Sequence, residues 1–232
     1  MKNIVIIGCG NGIGLRTAQI LSQENKIIGI SRTENPELNH PNINFHQMDI
    51  VSGWLDRIDF PEIVDGLVYT PGSINLKPFN KFSTDDFKND FEINVLGSVR
   101  VIQKLLPNLK KSKSASIVLF SSVAAGLGMP FHASVAVSKS AVEGLTRSLA
   151  AEFSTSKIRV NAIAPSLTDT KLASQLLSSM EKREASSKRH PLQRIGAPDD
   201  IAELTVFLIS EKSSWITGQV FTVDGGISGL KL

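Results

Sequence analysis

The 232-residue sequence predicts a doubly wound α/β fold: a mostly parallel sheet of about seven strands with helices on both faces. Three observations predict it. Short β-branched runs are apolar from end to end instead of alternating, as strands buried on both faces must be. These runs alternate with longer amphipathic stretches, which argues for strand–helix–strand units. The first run passes through a glycine-rich turn straight into the first amphipathic stretch.

In chain order, the run 4–7 (Ile4-Val5-Ile6-Ile7) is stopped by Gly8, and a helix is expected over 12–23. Strands follow at 27–30, 43–46 and 66–69, then a long helix over 84–109. The polar, basic stretch 110–116 reads as a solvated loop, 117–120 as the fifth strand, 133–154 as a helix and 159–163 as the sixth strand. A helix over 198–210 is opened by Pro198 after Gly196, since proline suits the first helical position. The last strand, 219–223, follows Ile216-Thr217-Gly218 and ends at Asp224-Gly225-Gly226. One stretch breaks the rhythm. Residues 166–194 are polar and basic and begin just after a strand end, where ligands bind in open α/β sheets. Such an insertion forms either a lid on the substrate side or a helical hairpin packed for oligomerisation.

Length and composition fit a single domain over 1–232 with one large core. Twenty-five basic against 22 acidic residues leave a net charge of +3, too weak a bias for nucleic acid as the main partner. The basic 180–194 region has no aromatic platform beside it for stacking bases. The apolar run at the N-terminus is too short for a signal peptide or a membrane span, so a cytoplasmic protein is expected. The one cysteine, Cys9, excludes an internal disulfide and a cysteine-based zinc cluster, and no metal is expected. Within its turn Cys9 is either a small filler or a reactive thiol.

The turn Gly8-Cys9-Gly10-Asn11-Gly12-Ile13-Gly14 lies between a strand and a helix. There, backbone N–H groups and the positive helix end can approach a pyrophosphate closely. The second strand ends at Ser31-Arg32-Thr33, where a dinucleotide fold meets the adenosine ribose. A ribose without a 2′-phosphate favours an acidic residue at that place. Arg32, flanked by two hydroxyls, offers a guanidinium that grips a phosphate through two hydrogen bonds, which favours NADPH over NADH. The alternative is a surface arginine in a loop. Asp49-Ile50, after the third strand, either meets the adenine or caps the next turn.

Taken together, these motifs make the chain resemble the short-chain dehydrogenase/reductase family, with its Rossmann-type fold, over essentially its whole length. Gly8, Gly12, Ile13 and Gly14 resemble the family's phosphate-binding turn, although Ile7 replaces a threonine. Asn94 resembles the helix asparagine of the proton relay, Ser122 the catalytic serine, and Lys139 the lysine that holds the nicotinamide ribose. The tail from Gly196-Ala197-Pro198 to Asp224-Gly225-Gly226 is similar to the C-terminal signature. The fourth strand departs from the pattern, ending Tyr69-Thr70-Pro71-Gly72 in place of Asn-Asn-Ala-Gly. After the sixth strand, Pro165, Thr168 and Thr170 are present but Ser166 replaces a glycine. The short distance from Asp49 to Gly72 implies a trimmed third helix.

In the family a tyrosine protonates the carbonyl oxygen as hydride arrives, the lysine lowers its pKa, and the serine binds the substrate oxygen. Thirteen residues after Ser122 and four before Lys139, this chain has Val135, which carries no ionisable proton. His132, seven residues before Lys139, resembles the tyrosine-to-lysine offset of enoyl-acyl carrier protein reductases in the same superfamily; it is a substitute acid or a loop histidine. Tyr69, the only tyrosine, reads as packing, and Ser134 and Ser138 as helix-start and helix-packing residues. The resemblance implies an NADPH-dependent reductase of small carbonyls or activated alkenes, with an altered proton donor, assembled as a homodimer or homotetramer. Its rival is a catalytically silent NADPH-binding sensor or assembly protein.

Overall fold

The computed structural model describes residues 1–53 and 55–231. Seven strands form one parallel sheet: β1 (Asn3–Ile7), β2 (Lys26–Ser31), β3 (Ile43–Gln47), β4 (Gly66–Tyr69), β5 (Ala115–Phe120), β6 (Ile158–Pro165) and β7 (Val220–Val223), in the order β3-β2-β1-β4-β5-β6-β7. The order reverses at β1, which pairs with β2 on one side and β4 on the other. The crevice at the carboxyl ends of β1 and β4 is therefore the place where such sheets bind ligands.

Alternate residues of each strand feed two separate cores. Val5, Ile7, Leu67, Tyr69, Ile117 and Leu119 pack beneath α3 (Gly97–Leu109) and α4 (Ala133–Phe153). Ile4, Ile6, Val68, Val118 and Phe120 pack beneath α1 (Gly12–Leu21) and α6 (Pro198–Ile209). This two-sided burial is why the strand sequences are continuously apolar; each fully buried Ile or Leu contributes roughly 1.5–3 kcal/mol.

Local sequence sets the helix boundaries. Helix α2 (Thr84–Phe91) starts at a capping box, with the Ser83 hydroxyl accepting from the Asp86 amide while the Asp86 carboxylate accepts from the Ser83 amide. Its axis continues through a widened turn, Glu92–Leu96, into α3, so the single helix expected over 84–109 is interrupted once. The stretch expected as a loop over 110–116 is shorter than the composition suggests. Ala115 and Ser116 are fully buried at the start of β5, and the Ser116 hydroxyl donates to the Leu208 carbonyl, which satisfies it inside the core. Between β3 and β4 the described residues form only a short helical turn, Leu55–Arg57, in agreement with a trimmed connection. The 166–194 segment carries α5 (Met180–Lys188), pinned back by Arg183, which donates to both Asp169 oxygens at 2.7 and 3.1 Å.

Candidate active site

The β1–α1 turn is built for close approach. Gly8 has φ +87°, and a Cβ on Gly14 would stand 2.4 Å from the Gly8 carbonyl oxygen. The turn therefore packs backbone against backbone, with the Thr170 side chain against Gly12 at the start of α1. Cys9 faces inward and is fully buried; burial pushes its thiol up to about 12, which makes it a filler and not a nucleophile.

A cleft of about 470 Å³ opens above this turn. Gly8, Asn11, Gly12, Ile13 and Gly14 form its floor, and Ser31, Arg32 and Thr33 stand at one end. Asp49, Ile50, Thr70, Pro71, Gly72 and Thr170 complete it. Arg32 is exposed and forms no ion pair among the described residues. Asp49 both lines the cleft and caps the following turn, accepting from the Val51 amide at 2.9 Å. The Thr70 hydroxyl donates to the Ile7 carbonyl at 2.8 Å, tying β4 to β1 at the mouth of the crevice.

A second chamber of about 460 Å³ adjoins the cleft; Ile13, Thr70, Gly72, Phe120, Thr170 and Leu172 line both. Ser122, Val135, Lys139 and His132 face this chamber, as do Pro165, Ser166 and Thr168. Apolar side chains, among them Ile74, Leu76, Met129 and Leu176, form most of its wall, with Lys182 and Arg189 from the 166–194 segment beside them. The Ser122 hydroxyl accepts from the Ala124 amide at 3.2 Å, so its oxygen is fixed while its proton is uncommitted.

Val135 and Lys139 are one helical turn apart on the same face of α4, and both are buried. Lys139 Nζ donates to the Phe120 carbonyl at 2.8 Å. Burial lowers its ammonium to about 8 from the ordinary 10.5, and the nearby Asp90 carboxylate resists part of that fall. No tyrosine reaches the chamber. Tyr69 is buried elsewhere, donates to the Ile93 carbonyl at 2.6 Å, and burial drives its pKa well above the ordinary 10.

Asn94 lies behind the chamber wall, in the widened turn between α2 and α3. Its Nδ2 donates to the Asp90 carbonyl at 2.7 Å and approaches the Ser73 and Ser138 hydroxyls at 3.2 and 3.3 Å, while its buried Oδ1 has no partner among the described residues. Gly72 separates this oxygen from Lys139: a Cβ there would stand 3.3 Å from Asn94 Oδ1 and 3.4 Å from Lys139 Nζ. Ser134 does not cap α4. Its hydroxyl donates to Asp90 at 2.6 Å, joining α4 to α2, and Ser73 donates to the same carboxylate at 2.5 Å.

Among the chamber residues that sequence reasoning missed is a histidine, His190. It is 3% exposed, with Nε2 2.9 Å from Ser166 Oγ. It follows Lys188 and Arg189 at the end of a polar, basic stretch, which gave no sign of burial.

The comparisons with known proteins agree with this geometry. A family model described as enoyl-(acyl carrier protein) reductase matches residues 57–228. The chain is 30% identical to the 3-oxoacyl-[acyl-carrier-protein] reductase FabG of Thermotoga maritima, covering 97% of each. It superposes with a TM-score of 0.90 on a short chain dehydrogenase family protein of Francisella tularensis, at 28% identity over 99% of this chain and all of that one. Two further solved structures are similar: ElxO with NADP bound (TM-score 0.86, 28% identity, 99% of each chain) and 4-hydroxyisoleucine dehydrogenase complexed with NADH (TM-score 0.88, 26% identity, 100% of each). With this fold, this crevice and these matches, the chain belongs to the short-chain dehydrogenase/reductase family of oxidoreductases.

Proposed function

We propose that the protein is an NADPH-dependent oxidoreductase that reduces a small carbonyl or an activated alkene with a proton donor other than tyrosine. The observation that carries this reading is the shared wall of the two cavities: a cleft shaped for a dinucleotide opens directly into an apolar chamber containing Ser122 and Lys139. The residues present fit a dinucleotide, because bare Gly8 and Gly14 let the turn close against Thr70 and its own backbone, which leaves a strand–turn–helix junction on the cleft floor where amides can meet phosphates. Arg32, with Ser31 and Thr33, would hold a 2′-phosphate, and Asp49 and Ile50 would meet the adenine. Lys139 would hold the nicotinamide ribose, steadied from behind by Asn94. Thr70, Pro71, Gly72, Pro165, Ser166, Thr168 and Thr170 would border the nicotinamide end. When bound, the reduced dinucleotide supplies hydride.

Ser122 would orient the substrate through its free hydroxyl proton, and residues 166–194 would close over the chamber as a lid. The proton comes from a histidine: His132 and His190 both face the chamber. An activated alkene tolerates a missing tyrosine better than a ketone does, because hydride adds at carbon and the one proton required can come from solvent. The protein works in the cytoplasm as a homodimer or homotetramer. Exposed Leu96 in the widened turn before α3, exposed Val137 on α4 and the half-exposed edge strand β7 support that assembly.

A second reading, a catalytically silent NADPH sensor or assembly protein, is favoured by Val135, which fills the place beside Lys139 with a side chain that has no proton to give. One experiment separates the two. NADPH affinity is measured by fluorescence, and NADPH oxidation is then followed with acetoacetyl-CoA, crotonyl-CoA, diacetyl and trans-2-hexenal. Tight binding with turnover of at least one probe is expected; tight binding with none establishes the silent reading.

A further inference from the structure

The two histidines of the chamber are held differently. His132 stands half-buried at the start of α4, its Nδ1 2.7 Å from the Pro130 carbonyl, and no partner reaches its Nε2 among the described residues. His190 is buried and engaged at both nitrogens: Nδ1 lies 2.8 Å from the Ser186 carbonyl and Nε2 2.9 Å from Ser166 Oγ. A carbonyl can only accept, so Nδ1 carries a hydrogen in either charge state. In the neutral ring Nε2 is therefore an acceptor, and the Ser166 hydroxyl donates to it. In the cation Nε2–H donates instead, and the Ser166 proton must turn to another acceptor. Ser166 lines the chamber, so that acceptor can be a substrate oxygen.

Three segments hold the pair in place. The Ser166 amide donates to the Val223 carbonyl at 3.1 Å, and the Leu192 amide to the Gly225 carbonyl at 3.2 Å. The bare Cα of Gly225 faces the His190 ring; a Cβ there would lie 3.6 Å from Cδ2. Asp224 in the same turn senses the ring. Burial raises its carboxyl, but hydrogen bonds from Ser228 and Gly226, together with the charge of His190, bring it below the ordinary range. Arg189 and Lys182 on its own segment, and Lys139 of α4, line the same chamber.

We propose that Ser166 is the proton donor of this chamber and that His190 acts through it as the proton reservoir. This rests on the oxidoreductase reading above. As hydride reaches the substrate carbon, the Ser166 O–H bond breaks and an O–H bond forms on the carbonyl or enolate oxygen. The His190 Nε2–H proton passes to Ser166 Oγ, leaving a neutral ring that solvent later reprotonates. Hydride and proton together complete the reduction.

The test combines activity with a readout that needs no cofactor. In the protein without NADPH, 15N NMR of the imidazoles follows His190 through its titration in wild type and in Ser166→Ala. The Nε2 resonance and the titration midpoint are expected to move in the variant; an unchanged titration overturns the pair. With saturating NADPH and whichever of the four probes wild type reduces, Ser166→Ala is expected to slow single turnover about 100-fold or more, the scale of a lost general acid. Ser166→Thr, which keeps a hydroxyl, restores much of the rate. His190→Gln is expected to abolish the high-pH fall of the rate, whose midpoint in wild type matches the NMR titration. Turnover by Ser166→Ala at the wild-type rate overturns the pair alone, as does a loss confined to His132→Ala. Failure of wild type on every probe overturns the oxidoreductase reading and the delivery role with it.

Discussion

Lys139 gives a prediction that needs neither substrate nor cofactor. Its ammonium is depressed from 10.5 to about 8 by burial, against the pull of Asp90. The native state thus sheds this proton near pH 8, while the unfolded chain keeps it to about 10.5. Below pH 8 the fold must house the buried charge; as pH rises above 8 the unfolded state binds more protons than the native one, so stability rises with pH. Over the full window of 2.5 units (10.5 − 8) this amounts to about 3 kcal/mol at 1.36 kcal/mol per unit, and from pH 7.5 to 9.0 to about 1 kcal/mol. Cys9 and Tyr69, both raised by burial, act in the opposite sense at higher pH. Because both are present in wild type and in Lys139→Met, their effects cancel in the difference. Urea unfolding of the two proteins at pH 7.5, 8.25 and 9.0 should therefore show wild type gaining about 1 kcal/mol relative to the variant. Parallel stability curves would show that Lys139 titrates alike in both states and would refute its burial as the cause of its low pKa.

Three further predictions concern the site. Val135→Tyr places a phenol one turn from Lys139 in the chamber and should raise reduction of diacetyl at least 100-fold, read as NADPH oxidation; no gain would mean that more than the valine separates this site from a ketone reductase. Arg32→Asp removes a charge-assisted grip worth about 1.5–3 kcal/mol, so NADPH affinity by fluorescence titration should fall at least 10-fold while NADH affinity holds or rises; equal losses for both would remove Arg32 from the 2′-phosphate site. Gly14→Ala puts a Cβ 2.4 Å from the Gly8 carbonyl, which should lower Tm by several degrees and abolish dinucleotide binding. A variant that keeps wild-type affinity would show that the turn has room the structure denies.

Much of the fold was legible because its information is local. The run Ile4-Val5-Ile6-Ile7 is apolar on both faces since both faces are covered, and Pro198 after Gly196 marks a helix start wherever it occurs. Where the sequence misled, tertiary contacts had overridden composition. Ala115 and Ser116 sit in a basic stretch, yet they begin a buried strand because the Leu208 carbonyl satisfies the Ser116 hydroxyl. The break in the helix expected over 84–109 was hidden for the same reason. The turn at Glu92–Leu96 widens where Asn94 is tied to Asp90, Ser73 and Ser138, partners spread over α2, the loop after β4 and α4.

The candidate site divides along the same line. The cleft residues, from Gly8 to Thr33, cluster in two short segments whose spacing reports a strand–turn–helix, so periodicity reaches them. The chamber is assembled from β5, α4, the end of β6 and the far end of the 166–194 segment, and no spacing links those pieces. Ser166 and His190 are 24 residues apart and meet because the segment after β6 folds back, held by the Arg183–Asp169 pair and by the backbone bonds to Val223 and Gly225. Ser166 looked like a drift from a glycine, and His190 like one more polar residue in a basic loop. Each departure becomes intelligible beside the other: a glycine after Pro165 would leave the buried His190 Nε2 without a partner, and a buried ring without that hydroxyl would lose one of its two hydrogen bonds. Under the proposed Ser166–His190 relay, the valine at 135 and the serine at 166 belong to one change, in which the chamber's proton source moves from α4 to the end of β6.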